Sequence, residues 1–333
     1  MEAIQPLDRM ARETGFSGAI RVDVGDETWS TAYGLAHRGF EIPNRVDTQF
    51  ATASAAKGLT ALVVVSLIID GALSLDTKAR SALGDDLPLI ADDVTVEHLL
   101  THTSGIGDYI DEDDEAMDSA DYVLKSPMHR LDTTEAFLIE LEGRPTKFRA
   151  GARFSYCNSG FVVLAIIAER VSGTPYHDLV AERVLEPAGL EDTAFLRTDL
   201  PSGRMALGYL EDEGLWTNIH HLPVRGNGDG GVYTTVDDMW LFWQAFFGGR
   251  IVPQDWVAAM VRPHADAPNE ESRYGLGFWL DAEGPFVRLV GSDAGVSFTS
   301  AHDPASRATW TVVSNTTYGA WPLVDHLRAR FGG

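Results

Sequence analysis

The chain has 333 residues, 44% of them hydrophobic, enough to bury one large core or two intimate ones. Its 26 basic and 49 acidic side chains give a formal charge of −23, which repels nucleic acid and anionic membrane surfaces and argues against both as partners. A single cysteine, Cys157, excludes an internal disulfide framework, and the first residues, MEAIQPLDRMARETGF, have neither the basic start nor the apolar core of a secretory signal, so the expected location is cytoplasmic.

In chain order, GFSGAIRVDVGDETWSTAYG reads as a hairpin with its turn at Gly25 and Asp26, because apolar and β-branched residues alternate on either side. Residues 51–71, ATASAAKGLTALVVVSLIIDG, hold the longest apolar run, Ala61 to Ile69; a membrane span needs roughly 20 residues, so this is a buried helix. Further on, TVEHLLTHTSG, TTEAFLIELEG, SGFVVLAIIAERVSG and TTVDDMWLFWQAFFGG predict helices, each with Ser or Thr near its start and Gly past its end. The acidic run DEDDEAMDSAD at 111–121 predicts a solvated loop or helix start. Near the C-terminus, YGLGFWLD, FVRLVG, VSFTSAHD and ATWTVVSN predict four strands, and Leu323, Val324, Leu327 and Phe331 have helical spacing. Strands at both ends around a mostly helical middle suggest two lobes, with a small-molecule cleft between them.

One serine and one of only four lysines stand at the mouth of the apolar run. Ser54 and Lys57 are three apart, so a helix presents them side by side. A serine hydroxyl becomes a useful nucleophile when a neighbouring base takes its proton, and a neutral amine is such a base. Lowering a lysine from about 10.4 to about 7–8 requires roughly 4 kcal/mol, which burial and the positive end of a helix supply. A second pair, Tyr156 and Asn158, precedes another buried helix; the phenol suits a proton relay, and the amide suits steadying the lysine or donating to a substrate carbonyl.

With both motifs in order, the chain resembles the serine β-lactamase and penicillin-binding-protein superfamily, described through its S-x-x-K motif, and in particular the class C β-lactamase-related esterases and peptidases. LSLDTKARSAL, VTVEHLLTHTSGIGDY, LEPAGLEDTAF and GDGGVYTTVDDMWLF extend the resemblance over nearly the whole chain. It implies a single β-lactamase-like domain over 1–333 of α/β (α+β) class. An antiparallel sheet with flanking helices is built from both chain ends (about 1–75 and 265–333), and a helical lobe spans about 76–264. It also implies Ser54 as acylated nucleophile, Lys57 and Tyr156 as the general-base pair with the decisive member open, Asn158 as a positioning residue, and no metal or cofactor.

The family's third element, usually K-T-G or H-x-G on a strand beside the nucleophile, is matched here by Asp293, Ala294 and Gly295. This puts a carboxylate where a cation is expected, which disfavours penicillin-like anions and suits an amine-bearing substrate. Gly295 keeps the strand close, and the N–H groups of Ser54 and Val296 are candidates for an oxyanion hole. His98 and His102 have metal-like spacing but no third ligand, which favours packing and capping; His220 and His221 fall in a loop at the expected cleft mouth. Cys157 should point away from its neighbours Tyr156 and Asn158 and be buried. The expected function is a serine hydrolase working through an acyl-enzyme on a small ester or amide, as a carboxylesterase or small-substrate amidase or peptidase and not a true β-lactamase. Its rivals are a non-catalytic binding or sensor protein with the same fold, and a histidine-based metallohydrolase.

Overall fold

In a computed structural model, which describes residues 4–114, 117–118 and 122–331, the two chain ends combine into one eight-stranded antiparallel sheet. The first hairpin contributes Gly18–Val24 (β1) and Glu27–Tyr33 (β2), with Gly25 at φ 61° in its turn. The C-terminal part contributes Ala265–Ala267 (β3), Ser272–Tyr274 (β4), Trp279–Asp281 (β5), Val287–Asp293 (β6), Val296–His302 (β7) and Thr309–Ser314 (β8). The order across the sheet is β2–β1–β8–β7–β6–β5–β4–β3, so the first and last strands in sequence pair with each other, one strand in from the β2 edge, Gly18 opposite Ser314 and Asp23 opposite Thr309.

Both faces of this sheet are covered, which is why β7 and β8 are buried along their whole length. Helices Ile4–Glu13 (α1) and Trp321–Phe331 (α5) cover one face through Leu7, Ala11, Leu323 and Leu327, packed on Ile20, Val22, Trp310 and Val312. The other face, with Ala19, Leu289, Phe298 and Val313, joins the larger core containing Ala56–Ile69 (α2), Asn158–Ser172 (α3) and Val236–Phe247 (α4). Helix α2 has no polar face because it is enclosed on all sides; every residue from Ala56 to Leu67 is buried. Among the described residues, no helix is long and apolar enough to cross a membrane.

The sequence expectations need adjustment in three places. YGLGFWLD is not one strand: it bends between β4 and β5, where Gly275 N–H donates to Phe278 O (2.9 Å) and Gly277 takes φ 84°. A Cβ on Gly277 would strike the Ala61 side chain and lie 3.3 Å from Lys57 O, so glycine lets this turn close on α2. TVEHLLTHTSG is helical only over Val96–Leu100, because His102 adopts φ 56° and turns the chain into the core. TTEAFLIELEG gives only a 3₁₀ turn, Glu135–Phe137, and one α turn, Leu138–Leu141. Helix α1 is an addition that its Leu7 and Ala11 spacing would have supported.

Candidate active site

Ser54 sits in a backbone arrangement that exposes it. Phe50–Ala51 pairs with Tyr233–Thr234, Thr52 N–H donates to Val232 O (3.0 Å), and Gly231 N–H donates to Ala53 O (3.2 Å). Between these anchors Ala53 takes φ 46°, a left-handed conformation unusual for alanine, and the chain turns sharply through Ala53–Ala55 into α2. The turn leaves Ser54 half-buried on the wall of an open cavity, with Lys57 inside the first turn of α2.

Lys57 is 2% exposed, and its amine is surrounded by oxygen: Nζ lies 2.9 Å from Ser54 Oγ, 2.8 Å from Asn158 Oδ1 and 2.7 Å from Asp229 O. Burial lowers its pKa below the ordinary lysine value, outweighing the opposing pull of the Asp229, Glu112 and Asp108 carboxylates. The N-termini of α2 and α3 both meet here, and their positive ends also disfavour an ammonium ion. A neutral amine fits these partners fully: it donates to Asn158 Oδ1 and Asp229 O, and its lone pair faces the Ser54 hydroxyl.

Tyr156 covers the amine from another side, its ring centroid 4.8 Å from Nζ and its hydroxyl on the Ser54 side. Burial pushes the phenol well above its usual pKa, more than the neighbouring Ser54 hydroxyl pulls it down, so it stays protonated. The ring is clamped between His102, 4.4 Å away, and Trp279, stacked at 5.8 Å. His102 Nδ1 accepts the Cys157 N–H (3.0 Å), so the residue between Tyr156 and Asn158 is itself held. Ser54, Lys57, Tyr156 and Asn158 are thus brought together.

Several residues that support them escaped the sequence reading. Asp108 accepts the N–H groups of Asn158 (2.7 Å) and Ser159 (2.8 Å), capping α3, and burial raises its carboxyl to about 6. Asp229 supplies the carbonyl that binds Lys57, and its own carboxylate accepts the Tyr109 hydroxyl (2.5 Å). Asn158 Nδ2 donates to Ile110 O and Glu112 Oε1, both 3.0 Å, which fixes its amide so that the oxygen faces the lysine. The segments SGIGDY and GDGG, part of the motifs on which the family resemblance rests, contained this signal. Where described, the acidic run is the expected solvated loop; within it Asp111 and Asp113 pair with Lys147, and Glu112 reaches the Asn158 amide. Of the same run, residues 115, 116 and 119–121 lie outside the described residues.

The third element is corrected by geometry. The residue that closes on the serine is Gly291, where a Cβ would lie 2.9 Å from Ser54 N, 3.0 Å from the Thr52 carbonyl carbon, and closer still to its oxygen. Gly295 lies at the β6–β7 turn with φ 69°, packed against Gly208, Tyr209 and Asn218, and its N–H donates to Thr317 Oγ1 (2.9 Å). The x-x-Gly triplet beside the serine is therefore Leu289, Val290 and Gly291. The position expected to carry a cation is a buried leucine lying over Gly58 of α2. Val296 N–H is also unsuitable as an oxyanion donor: Asp293 and Val296 flank a two-residue turn as a hydrogen-bonded pair, which uses it. The alternation of the ladder instead frees the N–H of Ser292, which lines the cavity with Ser54. Asp293 still faces the cavity. Its carboxylate accepts Ala294 N–H (2.8 Å) and the Tyr122 hydroxyl (3.5 Å), and burial raises it to about 7.

The remaining residues have structural partners. His98 forms a reciprocal cap with Thr95, and His102 lies in a ring of Phe154, Tyr156, Phe161 and Tyr274. The loop of His220 and His221 sends Leu222 and Pro223, not the histidines, to the cavity. Cys157 is buried and its thiol is held well above the usual pKa. No group of three or more metal-ligating side chains occurs among the described residues.

An S-x-x-K serine and lysine joined to a Y-x-N tyrosine and asparagine, beside an antiparallel sheet, define the penicillin-binding class of folds. The chain matches the β-lactamase family over residues 5–332 and belongs to it. It is 30% identical over 279 residues to the putative penicillin-binding protein PbpX of Bacillus subtilis (strain 168), covering 83% of this chain and 65% of the relative. Esterase EstB of Burkholderia gladioli is 31% identical over 209 residues, covering 58% of this chain and 50% of EstB. The match thus spans less than two thirds of these relatives. Among solved structures, a penicillin-binding protein from Bacillus halodurans superposes with TM-score 0.90 at 33% identity, covering 98% of this chain and 100% of that one. A D-amino acid amidase from Ochrobactrum anthropi SV3, complexed with L-phenylalanine, gives TM-score 0.79 at 25% identity, covering 98% and 95%.

Proposed function

We propose that the protein is a serine hydrolase that cleaves small esters or amides through an acyl-enzyme, as a carboxylesterase or small-substrate amidase or peptidase. The observation that carries this reading is the Lys57 amine, which is buried, lowered in pKa and 2.9 Å from Ser54 Oγ. Ser54 Oγ attacks the substrate carbonyl as its proton passes to Lys57 Nζ, giving a tetrahedral oxyanion and an ammonium ion. The opposite pKa displacements of Lys57 and Tyr156 favour a neutral amine beside a neutral phenol, with Lys57 as the base. The N–H groups of Ser54 and Ser292 face the oxyanion; a single such donor is typically worth a factor of about 10²–10³. As the carbonyl re-forms, the bond to the leaving group breaks, and that group takes a proton from Lys57 relayed by the Tyr156 hydroxyl. Water then attacks the acyl-enzyme by the reverse sequence, giving up a proton and releasing the acid and free Ser54.

The esterase and amidase among the similar proteins agree with this chemistry. Labelling with a fluorophosphonate probe tests it: the wild-type chain is labelled and hydrolyses p-nitrophenyl acetate, and Ser54→Ala loses both. Labelling that persists in Ser54→Ala would overturn the assignment. A folded wild-type chain inert to probe and ester would leave the binding-scaffold alternative in its place.

A further inference from the structure

The cavity wall beside Ser54 contains three carboxylates, Glu112, Asp229 and Asp293, and among the described lining residues no lysine, arginine or histidine. Two of these acids are committed. Glu112 receives the Asn158 amide, and Asp229 receives the Tyr109 hydroxyl. Asp293 is the loosest, holding one short bond from its neighbour's N–H at 2.8 Å and one at the 3.5 Å limit from Tyr122. Lys57 lies behind this wall, and in its neutral form it cancels none of the charge. None of the three carboxylates forms an ion pair with a described residue, so a ligand is the available source of a counter-charge.

A second feature also calls for a ligand. Asn227, 1% exposed, lines the same cavity; its Oδ1 accepts Gly228 N–H (2.7 Å), while its Nδ2 has no partner. A buried amide donor without an acceptor is uncommon and is satisfied by a ligand oxygen. A cationic group at Asp293 and an acceptor oxygen at Asn227 would complete both.

We propose that the substrate is an ester or amide carrying a primary ammonium group, with Asp293 as its counter-charge and Asn227 as donor to one of its oxygens. This deepens the hydrolase reading and rests on it. Aryl acetates test the leaving side: 4-(aminomethyl)phenyl, 4-methylphenyl and 4-carboxyphenyl acetate place a cation, a neutral group and an anion on the same frame. p-Nitrophenyl esters of 4-(aminomethyl)benzoic, 4-methylbenzoic and terephthalic acid do the same for the acyl side. In at least one series, kcat/KM of the cation exceeds that of the neutral ester at least tenfold, and the anion is slowest. The cation-to-neutral ratio falls at least tenfold in Asp293→Asn. Using the ratio separates charge selection from any general loss of activity in the variant, and raising the salt concentration on the wild type, which needs no variant, erodes the same ratio.

Ratios near one in both series, or a ratio unmoved in Asp293→Asn, overturn the proposal while leaving the hydrolase reading intact. If no ester is cleaved, the hydrolase reading fails instead. Calorimetric titration with benzylamine and with benzyl alcohol then decides the charge preference: tighter binding of the amine, weakened in Asp293→Asn, supports it, and equal or absent binding refutes it.

Discussion

Substituting Gly291 by alanine separates the structural register of the third element from the one the sequence suggests. The new Cβ would lie 2.9 Å from Ser54 N, where ordinary van der Waals contact begins at 3.4 Å, and would press harder still on Thr52 O. Both neighbours are backbone, held by Thr52 N–H to Val232 O and Gly231 N–H to Ala53 O, so relief requires strand β6 and the Ser54 turn to separate by more than about an ångström. A displacement of about 1 Å at a catalytic centre costs roughly 10²-fold, close to 2.7 kcal/mol in the barrier. Gly291→Ala is therefore expected to lower kcat for p-nitrophenyl acetate about 100-fold and to slow fluorophosphonate labelling alongside it. Gly295→Ala, at φ 69° against Gly208 and Tyr209, is expected to lower the melting temperature more than it lowers kcat. Wild-type labelling and turnover in Gly291→Ala, with collapse of activity in a folded Gly295→Ala protein, would refute this register.

Other consequences are equally direct. Lys57→Met keeps the apolar stem but removes the base, so kcat should fall about 10²–10⁴-fold; turnover within threefold of wild type would move the base elsewhere. Burial raises the Asp293 carboxyl to about 7 from its ordinary 3.8, so the native chain holds this proton more tightly than the unfolded one, and the group's contribution to stability is full below about 3.8 and lost as pH rises through 7. Asp293→Asn should therefore raise the melting temperature more at pH 8 than at pH 4, and calorimetry showing the reverse order would contradict the burial of that charge. At pH 8, where Asp293 is ionised, the carboxylate of benzylpenicillin would face it at a cost of up to about 1.4 kcal/mol, the cost of protonating Asp293 instead. Its turnover at pH 8 should be slower than that of neutral aryl esters, and comparable kcat/KM values would count against the acid-lined cavity.

The serine, lysine, tyrosine and asparagine were legible because each pair lies within a few residues, where helix and turn geometry alone limit how far side chains can part. The terminal strands were legible from alternation, and their union at the β1–β8 pair follows from the resemblance. The supporting layer was not legible: Asp229 meets Lys57 across 172 positions, and Asp108 meets Asn158 across 50, through loops without periodicity. The third element failed for a related reason. Gly291 and Gly295 are both glycines of one hairpin, and only contact with Thr52 and Ser54 shows which one the nucleophile turn needs. The helix predicted from TVEHLLTHTSG came out shorter than its pattern because the chain turns inward at His102 to clamp Tyr156.

The charge state of Lys57 is measured most directly by heteronuclear NMR of the lysine Cε and Nζ groups, since the chain has only four lysines. With the signal assigned by its loss in Lys57→Met, the Lys57 resonance is expected to titrate below the ordinary lysine range. Lys147, paired with Asp111 and Asp113, is expected to titrate above it. A Lys57 resonance that titrates at or above the ordinary lysine value would mean a permanent ammonium beside Ser54 and would contradict the account.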